Sequence, residues 1–153
     1  MKIAILNDTH AGVRGDMVAM ADYQGQFYNE IFFPYLVENN IKTLVHLGDV
    51  VDRRKFINHN TAHNFKKVFW NRLEELNIDT IIIIGNHDTY YKNTNEVNAL
   101  QNLNISKDAK IYTRPDTVNF NGLDILFLPW ICDDNYDDSI YACLLYTSPS
   151  PRD

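Results

Sequence analysis

Three short stretches concentrate the side chains that hold metals or move protons: Asn7-Asp8-Thr9-His10, Gly48-Asp49-Val50-Val51-Asp52-Arg53 and Gly85-Asn86-His87-Asp88. In the first, a carboxylate and an imidazole stand two residues apart, which on an extended backbone turns both to one face. Asp49 offers two carboxylate oxygens, enough to bridge two ions about 3.5–4 Å apart, as two-metal hydrolases require. Asn86 adds a neutral amide oxygen. His87, one residue on, points elsewhere and suits a proton donor or electrostatic clamp better than a ligand. Carboxylate, amide and imidazole donors together favour Mn²⁺, Fe²⁺ or Zn²⁺ over an ion selected by thiolates.

Each stretch is delivered by an apolar run: Lys2 to Leu6, Ile41 to Leu47, and Thr80 to Ile84. Runs of that length ending at a Gly or Asn turn read as buried strands, so the acids, the amide and the imidazoles gather at strand carboxyl ends, where α/β sheets put their chemistry. Between the strands, Asp22 to Asn40 has helical apolar spacing at Tyr23, Phe27, Ile31, Tyr35 and Leu36, with a kink expected at Pro34. A second helix is expected from about Asn60 to Leu76, burying Phe65, Val68, Phe69, Leu73 and Leu76. Glu96 to Leu103 reads as a short helix. Lys110 to Thr113, Thr117 to Phe120 and Leu123 to Leu128 read as strands, the last two joined through Asn121-Gly122, a hairpin signal. The pattern is β-α-β-α-β followed by more β, without repeats and without a linker marking a second domain.

At 153 residues and 45% hydrophobic the chain can build one ordinary domain. Its mean hydropathy is -0.32, and no apolar run approaches the roughly 18 residues of a membrane span, so a soluble protein is expected. The amino terminus enters a strand at once, and no signal peptide is expected. Cys132 and Cys143 are too few for a disulfide framework, which makes a reducing cytoplasm the expected compartment. A net charge of -6 argues against a broad basic face for nucleic acid, although divalent cations at the acids would change the local sign.

Taken jointly, Asp8-x-His10, Gly48-Asp49-x-x-Asp52-Arg53 and Gly85-Asn86-His87-Asp88 resemble the first three motifs of the calcineurin-like metallophosphoesterases. Asp52-Arg53-Arg54-Lys55, Tyr91-Lys92-Asn93 after the third motif, and Leu128-Pro129-Trp130 narrow the resemblance to the SbcD-type DNA-repair nucleases, in their phage recombination-endonuclease branch. The resemblance covers about residues 1 to 140. It implies a metallophosphoesterase-type β-sandwich flanked by helices, with the amino-terminal βαβαβ half and a few further strands present here. It also implies that Asp8, His10 and Asp49 hold a first divalent ion, that Asp49 and Asn86 contribute to a second, and that Mn²⁺ is the first choice among Mn²⁺, Fe²⁺, Zn²⁺ and Mg²⁺. An activated hydroxide would then attack a DNA phosphodiester, with His87 stabilising the developing charge or protonating the leaving oxygen. Asp88 would orient His87 or its loop.

Two departures accompany the resemblance. Asp52 stands where many cellular members carry His, and an ion pair with Arg53 or a neighbour is the alternative role for it. The family completes its metal shell with later Gly-His and Gly-His-x-His motifs, whereas no histidine follows His87. The second sheet would also be mostly missing, leaving exposed apolar surface. The expectation is therefore an active parent nuclease and an inactive fragment. Its implied partners are DNA, a DNA-stimulated ABC-type ATPase with long coiled coils, and a second copy through the helices. Another phosphoesterase, acting on phosphoproteins or nucleotides, is the competing activity, and a non-catalytic fragment the competing role.

Other residues have plainer readings. His59 and His63 are expected at the surface, and His46 as a packed strand residue. Arg53-Arg54-Lys55 is either a solvated loop or a phosphate contact beside the metals. Tyr90 and Tyr91 are packing lids or base-stacking rings. Asp133-Asp134 and Asp137-Asp138 lack the Gly and Glu spacing of a calcium loop and are expected to be solvated. Residues 143–153, Cys143 to Asp153, end in Pro/Ser-rich sequence and resemble the translation of a sequencing adapter. The domain is accordingly placed at 1–142, with the remainder a non-native tail and the reading frame cut.

Overall fold

The structure, a computed structural model, describes residues 2–103, 105 and 109–147. Four strands form one parallel sheet in sequential order: β1 (Ala4–Leu6), β2 (Thr43–His46), β3 (Asp79–Ile83) and β4 (Lys110–Tyr112). The register pairs Leu6 with His46 and His46 with Ile82, so the carboxyl ends of β1, β2 and β3 finish side by side. Sequential order with crossovers of a single hand puts the connecting helices on one face of the sheet. The core divides accordingly. Leu44 and Ile82 face the helices, while Val45 and Ile81 face a separate antiparallel hairpin of β5 (Asp116–Phe120) and β6 (Leu123–Phe127), packing against Phe127. Helices, parallel sheet and hairpin make three layers. The hairpin turns through Asn121 and Gly122, both at positive φ (53° and 92°), as a tight turn matched to strand twist requires.

Each long crossover is a helix interrupted by one wide π-type turn. The first comprises α1 (Val18–Phe27), a π turn at Tyr28–Phe32 and α2 (Phe33–Glu38). It begins four residues before the position expected from sequence, and Pro34 lies in the first turn of α2, directly after the π turn. Leu36 is buried as expected, but the rest of the expected face is not. Tyr23, Phe27, Ile31 and Tyr35, expected to pack inward, are 41–71% exposed, and the buried side is Tyr28, Phe33 and Leu36. A π turn holds one residue more than an α turn, so the buried Tyr28 and Phe33 stand five apart across it, a spacing no 3.6-residue stripe gives.

The second crossover is α3 (His59–Phe65), a π turn at Lys66–Trp70 and α4 (Asn71–Glu75). Phe65, Phe69 and Leu73 are buried as expected, and Trp70 joins them. Phe69 is fully buried, with Phe65 stacked on it at 5.1 Å between centroids and Tyr28 at 4.9 Å, which ties the two crossovers together. The amino end of α3 is capped by Asn58, whose side chain accepts from the Asn60 amide.

Two further expectations change, at Glu96 to Leu103 and at Cys143 to Thr147, while Asp133, Asp134, Asp137 and Asp138 are exposed as expected. Glu96 to Leu103 yields only a 3₁₀ turn at Ala99–Gln101, capped by Asn98. Asp133 and Asp134 begin a 3₁₀ turn that leads into α5 (Tyr136–Thr147), with Asp137 and Asp138 in its first turn, where carboxylates suit the helix dipole. Asp134 and Asp138 also hold Arg114. Residues Cys143 to Thr147, set aside on sequence as part of the tail, continue α5. The rest of that tail, 148–153, lies outside the described residues. No helix among the described residues is long and apolar enough to cross a membrane.

Candidate metal centre

The loops leaving β1 and β2 stay zipped together beyond the sheet. The His10 amide donates to the Asp49 carbonyl at 3.0 Å, Ala11 to Val50 at 2.8 Å, and Asp52 back to Ala11 at 3.1 Å. Gly48 and Gly85 make a third close approach. A Cβ on Gly48, at φ 97°, would lie 2.5 Å from the Gly85 nitrogen, and one on Gly85 would lie 2.2 Å from both Asp49 N and Oδ1. The glycines that open the second and third motifs are therefore there because two backbones must touch.

This contact brings Asp8, His10 and Asp49 together, their donor atoms all within 4.8 Å of one another. His10 Nε2 lies 3.4 Å from Asp8 Oδ1 and 4.0 Å from Asp49 Oδ2. The route differs from the one expected. Asp8, His10 and Asp49 all adopt positive φ (54°, 41° and 53°), so the Asp-x-His pair converges through a curled loop and not along an extended strand. Three such non-glycine residues in one site are an unfavourable backbone that the surrounding hydrogen bonds must hold, a common feature of functional centres. Asn86 lines the groove that Asp8 and Asp49 also line.

Asp52 meets His10 instead of Arg53. Its Oδ1 lies 3.7 Å from His10 Nδ1, a buried nitrogen without a hydrogen-bond partner. Its carbonyl is 2.5 Å from His87 Nδ1. Because a carbonyl only accepts, His87 Nδ1 carries a proton, and Nε2 is left out of this bond. The His10 and His87 rings meet edge to face at 4.9 Å. The His87 amide donates to Asp49 Oδ1 at 2.8 Å, tying the third loop to the second. Arg53 pairs with Asp16. The Thr61 hydroxyl, 2.7 Å from Asp16 Oδ1, and the Arg53 guanidinium hold the Asp16 carboxyl below the usual carboxylate range, against the opposing effect of burial. Sequence patterns gave no signal for Asp16.

Asp88 orients the loops and not the imidazole of His87. Fully buried, it accepts from Val50 (2.8 Å) and Val51 (3.2 Å) through Oδ1 and from Gly85 (2.9 Å) through Oδ2. Burial pushes its carboxyl up to about 6, the charge on Asp49 adds to this, and the three amides pull against it. Beneath the loops His46 is also fully buried, as the sequence suggested, and burial lowers its imidazole to about 4. The Gly48 amide donates to His46 Nδ1 at 3.2 Å, so Nε2 bears the proton and donates to Thr9 Oγ1 at 3.1 Å, and Thr9 donates to the Val50 carbonyl at 3.2 Å. His59 and His63 are both exposed on α3, as expected, and neither belongs to the group of Asp8, His10 and Asp49.

Asp8, Asp49 and Asp52 surround one imidazole, a concentration of negative charge that a divalent cation would offset. The donor set fits a hard or borderline ion. The family model of the calcineurin-like phosphoesterases matches residues 1–141. This chain belongs to that family. It is also 36% identical over 137 residues to exonuclease subunit 1 of enterobacteria phage T4. The match covers 88% of this chain and 40% of that protein, so the chain spans about two fifths of the relative's length. A solved protein of unknown function from Aquifex aeolicus overlays with a TM-score of 0.49 at 18% identity, covering 94% of this chain and 71% of that one. The α/β fold with its parallel sheet and flanking helices is that of a metallophosphoesterase, and the family is one of hydrolases that bind divalent metals.

Proposed function

We propose that this calcineurin-like phosphoesterase carries part of the centre of a metal-dependent DNA phosphodiesterase, the nuclease subunit of a recombination or repair complex. The observation that carries the reading is the convergence of Asp8, His10 and Asp49 at the ends of neighbouring strands. The similarity to a phage exonuclease subunit supports DNA over a phosphoprotein or a nucleotide. Asp8, His10 and Asp49 would hold one divalent ion and Asp49 with Asn86 part of a second, Mn²⁺ being the first candidate. When bound, the ions would supply Lewis acidity and an acidified water.

The chain's own residues prepare the rest. Asp52 stands behind His10 and, through its carbonyl, keeps the His87 proton on Nδ1. His87 Nε2 is then the nitrogen left for the substrate, and it donates to the phosphate or leaving oxygen in the doubly protonated ring. Asp49 Oδ1 keeps a second lone pair after accepting from His87, so it can still reach an ion. With no histidine after His87, these 153 residues bring fewer donors than two ions usually take, and we expect metal binding without efficient turnover. A coiled-coil ABC-type ATPase, a second copy and a cytoplasmic setting belong to the same reading.

Mn²⁺ binding followed by electron paramagnetic resonance tests it, alongside cleavage of linear DNA, a phosphomonoester and a cyclic nucleotide. Saturable Mn²⁺ binding lost in Asp49→Ala is the expected result. Binding unaffected by that change would overturn the site, and preferred hydrolysis of the phosphomonoester would replace the nuclease with a phosphatase.

A further inference from the structure

Near the metal centre, two adjacent cations each lie over an aromatic ring. Arg54 lies 5.9 Å over the Trp130 ring, and Lys55 lies 5.5 Å over the Tyr90 ring. Tyr90 meets Tyr91 edge to face at 4.7 Å. These aromatics are not core residues: Trp130 is 38%, Tyr90 39% and Tyr91 51% exposed. Trp130 also lines the groove shared by Asp8, Asp49 and Asn86, which joins its ring to the candidate metal centre.

Trp130 is presented on a fixed backbone. Its amide donates to the Ile84 carbonyl at 2.7 Å, and its own carbonyl accepts from two buried amide side chains, Asn95 at 2.8 Å and Asn135 at 3.1 Å. Three hydrogen bonds hold the main chain of a residue whose large ring is left partly in water.

The cations show the same bias. Arg53, Arg72 and Arg114 are each paired with a carboxylate, whereas among the described residues Arg54 and Lys55 have no such pair and lie over rings. Arg54 also donates to the Thr89 hydroxyl at 3.3 Å, and in a chain of net charge -6 two adjacent cations without a carboxylate partner suit a phosphate.

We propose that Trp130, Tyr90 and Tyr91 form a stacking platform for unpaired bases of a single-stranded DNA end, with Arg54 and Lys55 on its phosphates. The proposal rests on the nuclease reading and adds the substrate class. A paired, stacked base in duplex DNA offers no free face to such rings, while every unpaired base does, so the platform favours frayed or single-stranded ends without reading sequence. The loop after Asn86-His87 then serves both to supply the site and to seat the strand.

The test is equilibrium binding of a fluorescein-labelled oligothymidylate and of a blunt duplex of equal length, with chelator present to prevent cleavage. Wild type should prefer the single strand. Trp130→Ala should weaken single-strand binding roughly tenfold while changing duplex binding less than about twofold, and Trp130→Phe should restore most of the loss. Lys55→Ala should weaken both forms and lower the single-strand salt slope by about 0.7. Unchanged single-strand binding in Trp130→Ala, or equal weakening of both forms with urea midpoints preserved, overturns the platform while leaving the nuclease reading intact. Failure of wild type to bind either DNA overturns both.

Discussion

His46 and Asp88 sit under the metal loops with opposite claims on a proton, and replacing either one should uncover the other. An unfolded imidazole titrates near 6.5, whereas His46 in the fold stays neutral down to about 4. As pH falls through that window the unfolded chain takes a proton that the folded chain refuses. The His46 contribution is therefore complete above pH 6.5 and lost on the way to pH 4. A gap of about two and a half pH units is worth about 3 kcal/mol. Asp88 acts in the other direction. Its carboxyl titrates at about 6 when folded against 3.8 unfolded, so its contribution is complete below pH 3.8 and lost as pH rises to 6, again by about 3 kcal/mol.

The two nearly cancel in the parent chain. His46→Asn keeps an acceptor for the Gly48 amide and removes the titration. Urea unfolding of His46→Asn minus wild type, in chelator between pH 4 and 7, should slope downward with pH by about 3 kcal/mol across the window. Asp88→Asn should slope upward by a similar amount, and the double variant should return to the wild-type slope. Absolute stability will fall in each variant through lost packing and hydrogen bonds, so the slope is the quantity to read. A His46→Asn profile parallel to wild type would show that the imidazole is not held neutral, and the account of the hydrogen-bond chain from Gly48 to Thr9 would fail with it.

Asp52→Asn should leave the fold intact and weaken Mn²⁺ binding roughly tenfold, because the carboxylate beside His10 Nδ1 becomes an amide; unchanged affinity in a Mn²⁺ titration would remove Asp52 from that role. Gly85→Ala should cost about 3 kcal/mol or more in urea unfolding and abolish Mn²⁺ binding, since the new methyl meets Asp49 at 2.2 Å. Mn²⁺ at about a hundred times its Kd should stabilise wild type by about 2.7 kcal/mol and leave Asp49→Ala unmoved, which thermal melts with and without chelator will show. Phe69→Ala should cost about 3–5 kcal/mol at any pH, reported by the same unfolding experiment, because three rings close around it.

What the sequence made legible and what it hid divide along a physical line. Strand runs ending in Asp8, Asp49 and Asn86 were readable because a buried parallel strand must be apolar throughout and its carboxyl end opens at the site. The hairpin at Asn121-Gly122 was readable because few residue pairs accept two successive positive φ values. The buried face of the first crossover was legible only at Leu36, since the π turn that sets Tyr28 and Phe33 five residues apart leaves no mark in composition. Nor was the curl at Asp8 and His10, whose positive φ depends on amides donated across to Gly48 and Asp49 from forty residues away.

The same distinction separates the roles of the acids. Asp49, Asp52 and Asp88 lie close in sequence to equivalent motif positions, and residue type alone cannot rank them. Burial and partners do. Asp88, with three backbone amides and no solvent, can only hold loops together. Asp49, with one amide on Oδ1 and Oδ2 facing His10, retains the lone pairs a cation needs. Asp52 has its carboxylate on one imidazole and its carbonyl on the other, so a change at this single residue reaches both rings by separate atoms. Asp52→Asn therefore tests the carboxylate alone, because the carbonyl that fixes the His87 tautomer survives the substitution.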